Sequence, residues 1–178
     1  MKFAICLLAL LALLATGTAE AGQMDGDAYI GSRYGRIVVS PPAGAWEIID
    51  REGAGSNDQG GPVADLQARR PVAGMRPVVR ITGVRKIDSV SADEILRTSR
   101  DALEQQGGTV EAVQSRSRDG RPYWVYDGRV SSQGQQAGTR LMLVEGQGAF
   151  FLLQTVAPVA SFGEAAKALD DLLPYLRY

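Results

Sequence analysis

The residues available for chemistry are few. The chain has no histidine and a single cysteine, Cys6, which lies inside an apolar run near the start. Beyond that run there is no thiolate nucleophile, no disulfide and no cysteine metal site. The commonest general base and the commonest transition-metal ligand are missing too. Only oxygen ligands remain, so tight zinc or copper binding is not expected. A serine nucleophile has no histidine partner, and no Ser-x-x-Lys occurs. Asp170 and Asp171 are adjacent on an expected helix and point apart, so they cannot share a substrate. Carboxylates from distant loops can still converge as in a glycosidase, which keeps a carboxylate-based hydrolase open. Asp25-Gly26-Asp27 hints at calcium, but a calcium loop beginning at Asp25 needs Glu at its twelfth position, where Arg36 stands. The glycine-rich residues 53–61 lack the Gly-Lys-Ser/Thr ending of a phosphate loop.

The other candidates are cations and aromatics. Formal net charge is −1, which gives no electrostatic case for nucleic acid. The charge is uneven: residues 22–68 hold 3 basic and 7 acidic side chains, residues 69–129 hold 12 and 8. Arg76, Arg80, Arg116, Arg118 and Arg121 can form an anion-binding edge if the third strand lies near the hairpin of the later strands. Arg69 and Arg70 follow the apolar Val63 and Leu66. Trp124 shares a strand with Tyr123 and Tyr126, and Tyr123 faces the opposite side. The candidate interaction surface is therefore Arg69, Arg70, Arg76, Arg80, Arg116, Arg118, Arg121 and Trp124. The plainer readings are a solvated strand face for the arginines and core packing for the rings.

The elements that must position these residues can be read in order. Residues 1–21 read as a signal peptide: Lys2, then the unbroken apolar residues 3–15, then Ala19-Glu20-Ala21 as a cleavage pattern. The apolar run is too short for a membrane span. Residues 22–33 read as a flexible arm, and residues 34–178 as one domain. Strands are expected at 34–39 and 45–50, across Pro41-Pro42. Residues 51–74 read as a long loop with room for a short turn of helix near residues 63–68. A third strand follows at 78–86, with Gly83 a possible bulge. Ser91 and Glu94 make a capping box for a helix that Gly107-Gly108 stops. Four strands at 110–116, 123–130, 139–144 and 149–157 form an antiparallel meander, with Asp119-Gly120 a hairpin turn. Ser161 and Glu164 repeat the capping box for a last helix, whose apolar stripe runs to Leu176 and which Pro174 ends or kinks.

In the meander Phe150 and Leu152 oppose Phe151 and Leu153, and Leu141 and Leu143 oppose Met142 and Val144. Both faces are apolar, so both must be covered. The expected class is α+β: an antiparallel sheet of about six to seven strands with a helix on each face, a three-layer α/β/α arrangement.

This element order resembles the PsbP-like fold. The resemblance is carried by the strand-Pro-Pro-x-Gly-x-Trp entry at residues 37–46, the meander at 121–157 and Ala157-Pro158-Val159-Ala160-Ser161-Phe162 before the last helix. The resemblance implies binding and assembly roles with no common active site, and fold alone assigns no function. The expectation is a non-enzymatic exported module, periplasmic or secreted, that binds a protein or cell-envelope partner without a cofactor. The alternative is a small-ligand binder or the carboxylate hydrolase above.

Overall fold

A computed structural model of the chain describes residues 22–178 apart from 53–58, 73, 88, 133 and 134. The expected signal peptide at 1–21 lies outside the described residues. In chain order the elements are β1 (Gln23–Asp25), β2 (Ala28–Gly31), β3 (Ile37–Val39), β4 (Trp46–Asp50), β5 (Gly60–Ala68), β6 (Val78–Arg85), α1 (Ala92–Gln105), β7 (Thr109–Val110), β8 (Gln114–Arg118), β9 (Arg121–Ser132), β10 (Gln135–Glu145), β11 (Ala149–Pro158), α2 (Phe162–Leu172) and β12 (Leu176–Arg177). The class is α+β, and every strand pairing is antiparallel.

The large sheet has eight strands in the order β4-β5-β6-β11-β10-β9-β7, with β8 also paired to β9. The small sheet runs β1-β2-β3-β12. The meander forms as its turn chemistry dictates. Asp119 and Gly120 take positive φ, 50° and 76°, the two-residue geometry that matches strand twist. Ser91 Oγ accepts the Glu94 amide at 3.2 Å and starts α1.

Alternation along the strands splits the core in two. Met142, Val144, Phe151 and Leu153 pack with Leu169 and Leu172 of α2, and with Tyr29, Ile37 and Val39 of the small sheet. Leu141, Leu143, Phe150 and Tyr126 pack with Leu96 of α1. Each such side chain contributes about 1.5–3 kcal/mol on burial. Both apolar faces of the meander are thus used. A single sheet of six or seven strands with one helix per face leaves out the small sheet, which shares a cluster with α2.

Several expectations are corrected. The arm at 22–33 contains the β1–β2 hairpin. Tyr29 is fully buried, and its hydroxyl lies 2.9 Å from both Asp50 Oδ1 and the Val63 carbonyl. One aromatic anchor among small polar residues holds the segment, a signal too sparse for periodicity. The loop at 51–74 contains β5, so the turn of helix expected near residues 63–68 is a strand, with Val63, Ala64 and Leu66 fully buried. A bulge between Pro62 and Ala64 breaks its alternation. Gly83 is no bulge; it pairs regularly with Phe151, and a Cβ there would meet Tyr34 Cδ2 at 2.7 Å. The strand at 110–116 is two strands, β7 and β8. Ser161 stands at the N-cap of α2 but its side chain makes no capping bond: it closes a 3₁₀ turn at residues 159–161, and its hydroxyl donates to the Pro158 carbonyl instead. α2 ends at Leu172, Pro174 sits within a 3₁₀ turn at residues 173–175 that follows it, and Leu176 then enters β12 opposite Val39.

Candidate functional site

An open cleft of about 1580 Å³ lies where the small sheet, the β8–β9 hairpin and the β10–β11 turn meet. Register dictates its floor. Ile30 lies opposite Val38, and Val38 opposite Arg177, so the three form a row across β2, β3 and β12. Their neighbours Tyr29, Ile37 and Val39 point the other way, into the core. Arg36 lies two residues before Val38 and so shares the row's side of the sheet. Arg118 and Arg121 stand beside this floor because the Asp119-Gly120 turn folds β8 onto β9.

The charges are unequally satisfied. Lys86 Nζ bonds Glu145 Oε1 at 2.6 Å and lies 5.1 Å from the Phe150 ring centre. Arg118 pairs with Asp119 at 3.5 Å. Arg121 donates to the Tyr178 main-chain oxygen, and its guanidinium stands 5.6 Å from the Tyr178 ring. Burial raises the Tyr178 phenol above its ordinary value against the opposing pull of Arg121, which keeps the hydroxyl protonated. Among the described residues, the side chains of Arg36 and Arg177 are exposed and have no hydrogen-bond or ion-pair partner. The cleft therefore offers an apolar floor with free guanidinium donors, an arrangement that binds carboxylate or phosphate oxygens.

A smaller hollow of about 570 Å³ opens on the α1 side, between Trp124, Phe150, Ile87 and Val90. The Lys86–Glu145 pair borders both spaces.

The structure distributes the sequence candidates over several places. Arg118 and Arg121 line the cleft and Trp124 lines the hollow. Arg116 is exposed and bonds Gln114 at 2.6 Å. Arg80 is held by Asp65 at 3.0 Å, which Arg51 also pairs at 3.0 Å. Arg69 bonds the Trp46 carbonyl at 3.3 Å, while Arg70 and Arg76 are exposed before β6. The condition for one anion-binding edge is not met. β6 is separated from β9 by β11 and β10, about 14 Å of sheet. Sequence reasoning missed Arg36, Lys86 and Arg177. Arg177 was hidden because β12 reads as the end of a helix. The free state of Arg36 shows only once β3 is placed in the small sheet.

Among the described residues no group of three or more His, Cys, Asp or Glu is placed to hold a metal, and no helix is long and apolar enough to cross a membrane. No family model matches the sequence, and no curated protein matches it. Solved structures do resemble it. The solution structure of cyanobacterial PsbP from Synechocystis sp. PCC 6803 superposes with a TM-score of 0.54 at 14% identity, over 94% of this chain and 98% of that one. LpqN of Mycobacterium tuberculosis, described as involved in cell envelope biogenesis, gives 0.50 at 15% identity, over 79% of this chain and 81% of that one. At such identity the likeness is one of fold alone, and that fold is PsbP-like.

Proposed function

We propose that the chain is an exported, non-enzymatic module that holds a protein or cell-envelope partner in the cleft between the small sheet and the β8–β9 hairpin. The observation that carries this is the pairing of half-buried Ile30 and Val38 with the partnerless Arg36 and Arg177 on one open floor. Floors of mixed apolar and guanidinium character suit protein recognition. The carboxylates beside them, Glu145 and Asp119, are each matched to a cation, which suits charge balance better than proton transfer. Export rests on the sequence pattern of residues 1–21, with a periplasmic or secreted destination. LpqN is described as involved in cell envelope biogenesis, and an envelope role fits the same reading. So does the finer layering, with α1 over one face of the large sheet and α2 with the small sheet over the other.

The test is site-specific photo-cross-linking in the native host. A benzophenone amino acid at Ser40, in the cleft, is expected to give a partner adduct. The same probe at Glu104, exposed on α1, is not. Absence of adducts at Ser40 overturns the reading.

A second reading, a small-ligand binder, has the hollow beside Trp124 in its favour. Two aromatic walls and an ion pair at the rim are the makings of a small-molecule site. A change in Trp124 fluorescence on exposure to a small-molecule library, lost in Trp124→Phe, would support it.

A further inference from the structure

We infer that the cleft's occupant is an acidic, partly apolar segment of a protein partner, read by Arg36 and Arg177. This rests on the proposed binding role and adds the partner's chemistry.

The argument is one of charge complementarity. Five cations line the cleft, Arg36, Lys86, Arg118, Arg121 and Arg177, against the carboxylates of Asp25, Asp119 and Glu145. Glu145 is taken by Lys86 and Asp119 by Arg118. Arg121 is already engaged by the main-chain oxygen and the ring of Tyr178. The side chains of Arg36 and Arg177 meet no partner among the described residues. Two guanidinium groups, those of Arg36 and Arg177, are thus left against the carboxylate of Asp25, which stands at the far strand of the small sheet.

Their placement adds shape. Arg36 and Arg177 are diagonal neighbours on one sheet face, because Arg177 lies opposite Val38. Arg121 rises from the hairpin on another side of the cleft. The positive groups are spread along an open groove, with Ile30 and Val38 among them. A spread of this kind suits an extended chain carrying several carboxylates and small apolar side chains. A polyanion such as nucleic acid would meet a chain of net charge −1, and a membrane surface would need an exposed apolar protrusion in place of a recessed floor.

The test uses the full exported protein and two synthetic peptides. One alternates Glu and Val; the other carries Gln for each Glu. Binding is followed by amide chemical-shift changes in labelled protein. The Glu peptide is expected to bind about tenfold or more tightly than the Gln peptide. It should shift residues of β2, β3, β12 and the β8–β9 hairpin, and weaken as salt rises beyond about 0.15 M. The double variant Arg36→Gln, Arg177→Gln should bind both peptides equally. Both side chains are exposed and partnerless, so this variant should melt like the parent. Equal affinity for the two peptides in the parent protein overturns the inference. So does binding to anionic phospholipid vesicles with no response to the Glu peptide.

The host cross-link separates this from the broader reading. If the Ser40 adduct persists undiminished in the double variant, the binding role stands and the acidic-segment inference falls. If the parent gives no adduct, the binding role falls, and the peptide titration still decides the chemistry of the cleft.

Discussion

Glu52 Oε1 accepts the main-chain amide of Ser32 at 3.0 Å, and so fastens the turn after β4 to the loop between β2 and β3. The same oxygen accepts the Arg33 amide at 3.2 Å, and Arg33 Nη1 returns a bond to the Glu52 carbonyl at 2.9 Å. The carboxylate is fully buried and couples the small sheet to the large one. Replacing it with alanine strands two amide donors. Glu52→Ala is expected to cost about 1–3 kcal/mol in urea unfolding.

The same residue gives a pH dependence. Burial raises the Glu52 carboxyl above its ordinary 4.5, the neighbouring Asp50 adds to this, and the two amides and Arg33 oppose it. Between the unfolded and folded values the native state binds the extra proton. Its contribution is full below about 4.5, and stability is lost as pH rises through the folded value. Glu52→Gln removes the titration. The stability of the parent relative to Glu52→Gln should therefore fall as pH rises from 4 toward neutrality, by roughly 1.4 kcal/mol for each unit of pKa elevation. A difference that stays flat across that range would contradict the assignment.

Arg140 forks onto Asp127, Nε to Oδ1 at 2.7 Å and Nη2 to Oδ2 at 2.8 Å, while Nη1 reaches Asp170. One side chain on β10 thus ties β9 to α2. The group is partly buried, so its removal leaves two carboxylates short of their partner but within reach of water. Arg140→Ala is expected to cost about 1–3 kcal/mol, below the range for a fully buried pair. Arg140→Lys should recover only part, because a single ammonium cannot reproduce the fork. Chemical denaturation of the three proteins checks this.

The legible parts of the chain were those with local chemistry. Asp119-Gly120 fixes its hairpin through its own backbone, and Ser91 with Glu94 starts α1, so each needs no distant partner. The doubly apolar meander from Leu141 to Leu153 announced two covered faces. What stayed hidden depends on contacts far along the chain. Tyr29 makes β2 a strand only by reaching Asp50 and Val63. Leu176 looks like one more residue of a helical stripe until Val39 pairs with it. Ser161 sits in a capping sequence, but the preceding 3₁₀ turn takes its hydroxyl. The cleft was half visible: Arg118 and Arg121 sit on a readable hairpin, whereas Arg36 and Arg177 come together only through the small sheet, which sequence periodicity did not reveal.

The Asp119-Gly120 turn also presents two of the cleft's arginines. Gly120 has φ of 76°, which a side chain tolerates poorly. Gly120→Ala is expected to lower stability by about 1 kcal/mol. It should also loosen Arg118 and Arg121, seen as increased amide exchange confined to residues 114–125. An exchange pattern identical to the parent would show that the hairpin is held by its strand pairing alone.

Leu66 distinguishes the two descriptions of residues 59–68 most sharply. A mobile loop would let this side chain go at little cost, within about 0.5 kcal/mol of the parent. In the structure Leu66 is fully buried on β5, opposite Ile48 on one side and Val79 on the other. It belongs to the cluster that joins the small sheet and α2 to the large sheet. Truncation would leave a cavity lined by rigid strands on both flanks, which cannot collapse to fill it. Leu66→Ala is therefore expected to destabilise the protein by about 2–5 kcal/mol. Leu66→Met, which conserves volume, should cost less than about 1.5 kcal/mol. Both are read from the midpoint of urea unfolding at constant slope. The same logic sets the limit on shortening this region. Gly60 and Gly61 pair with Val84 and Gly83, so a deletion that reaches them removes the first rungs of β5. Removal of residues 59–61 is expected to lower the midpoint clearly. An unchanged midpoint there, together with a mild Leu66→Ala, would return the segment to a loop.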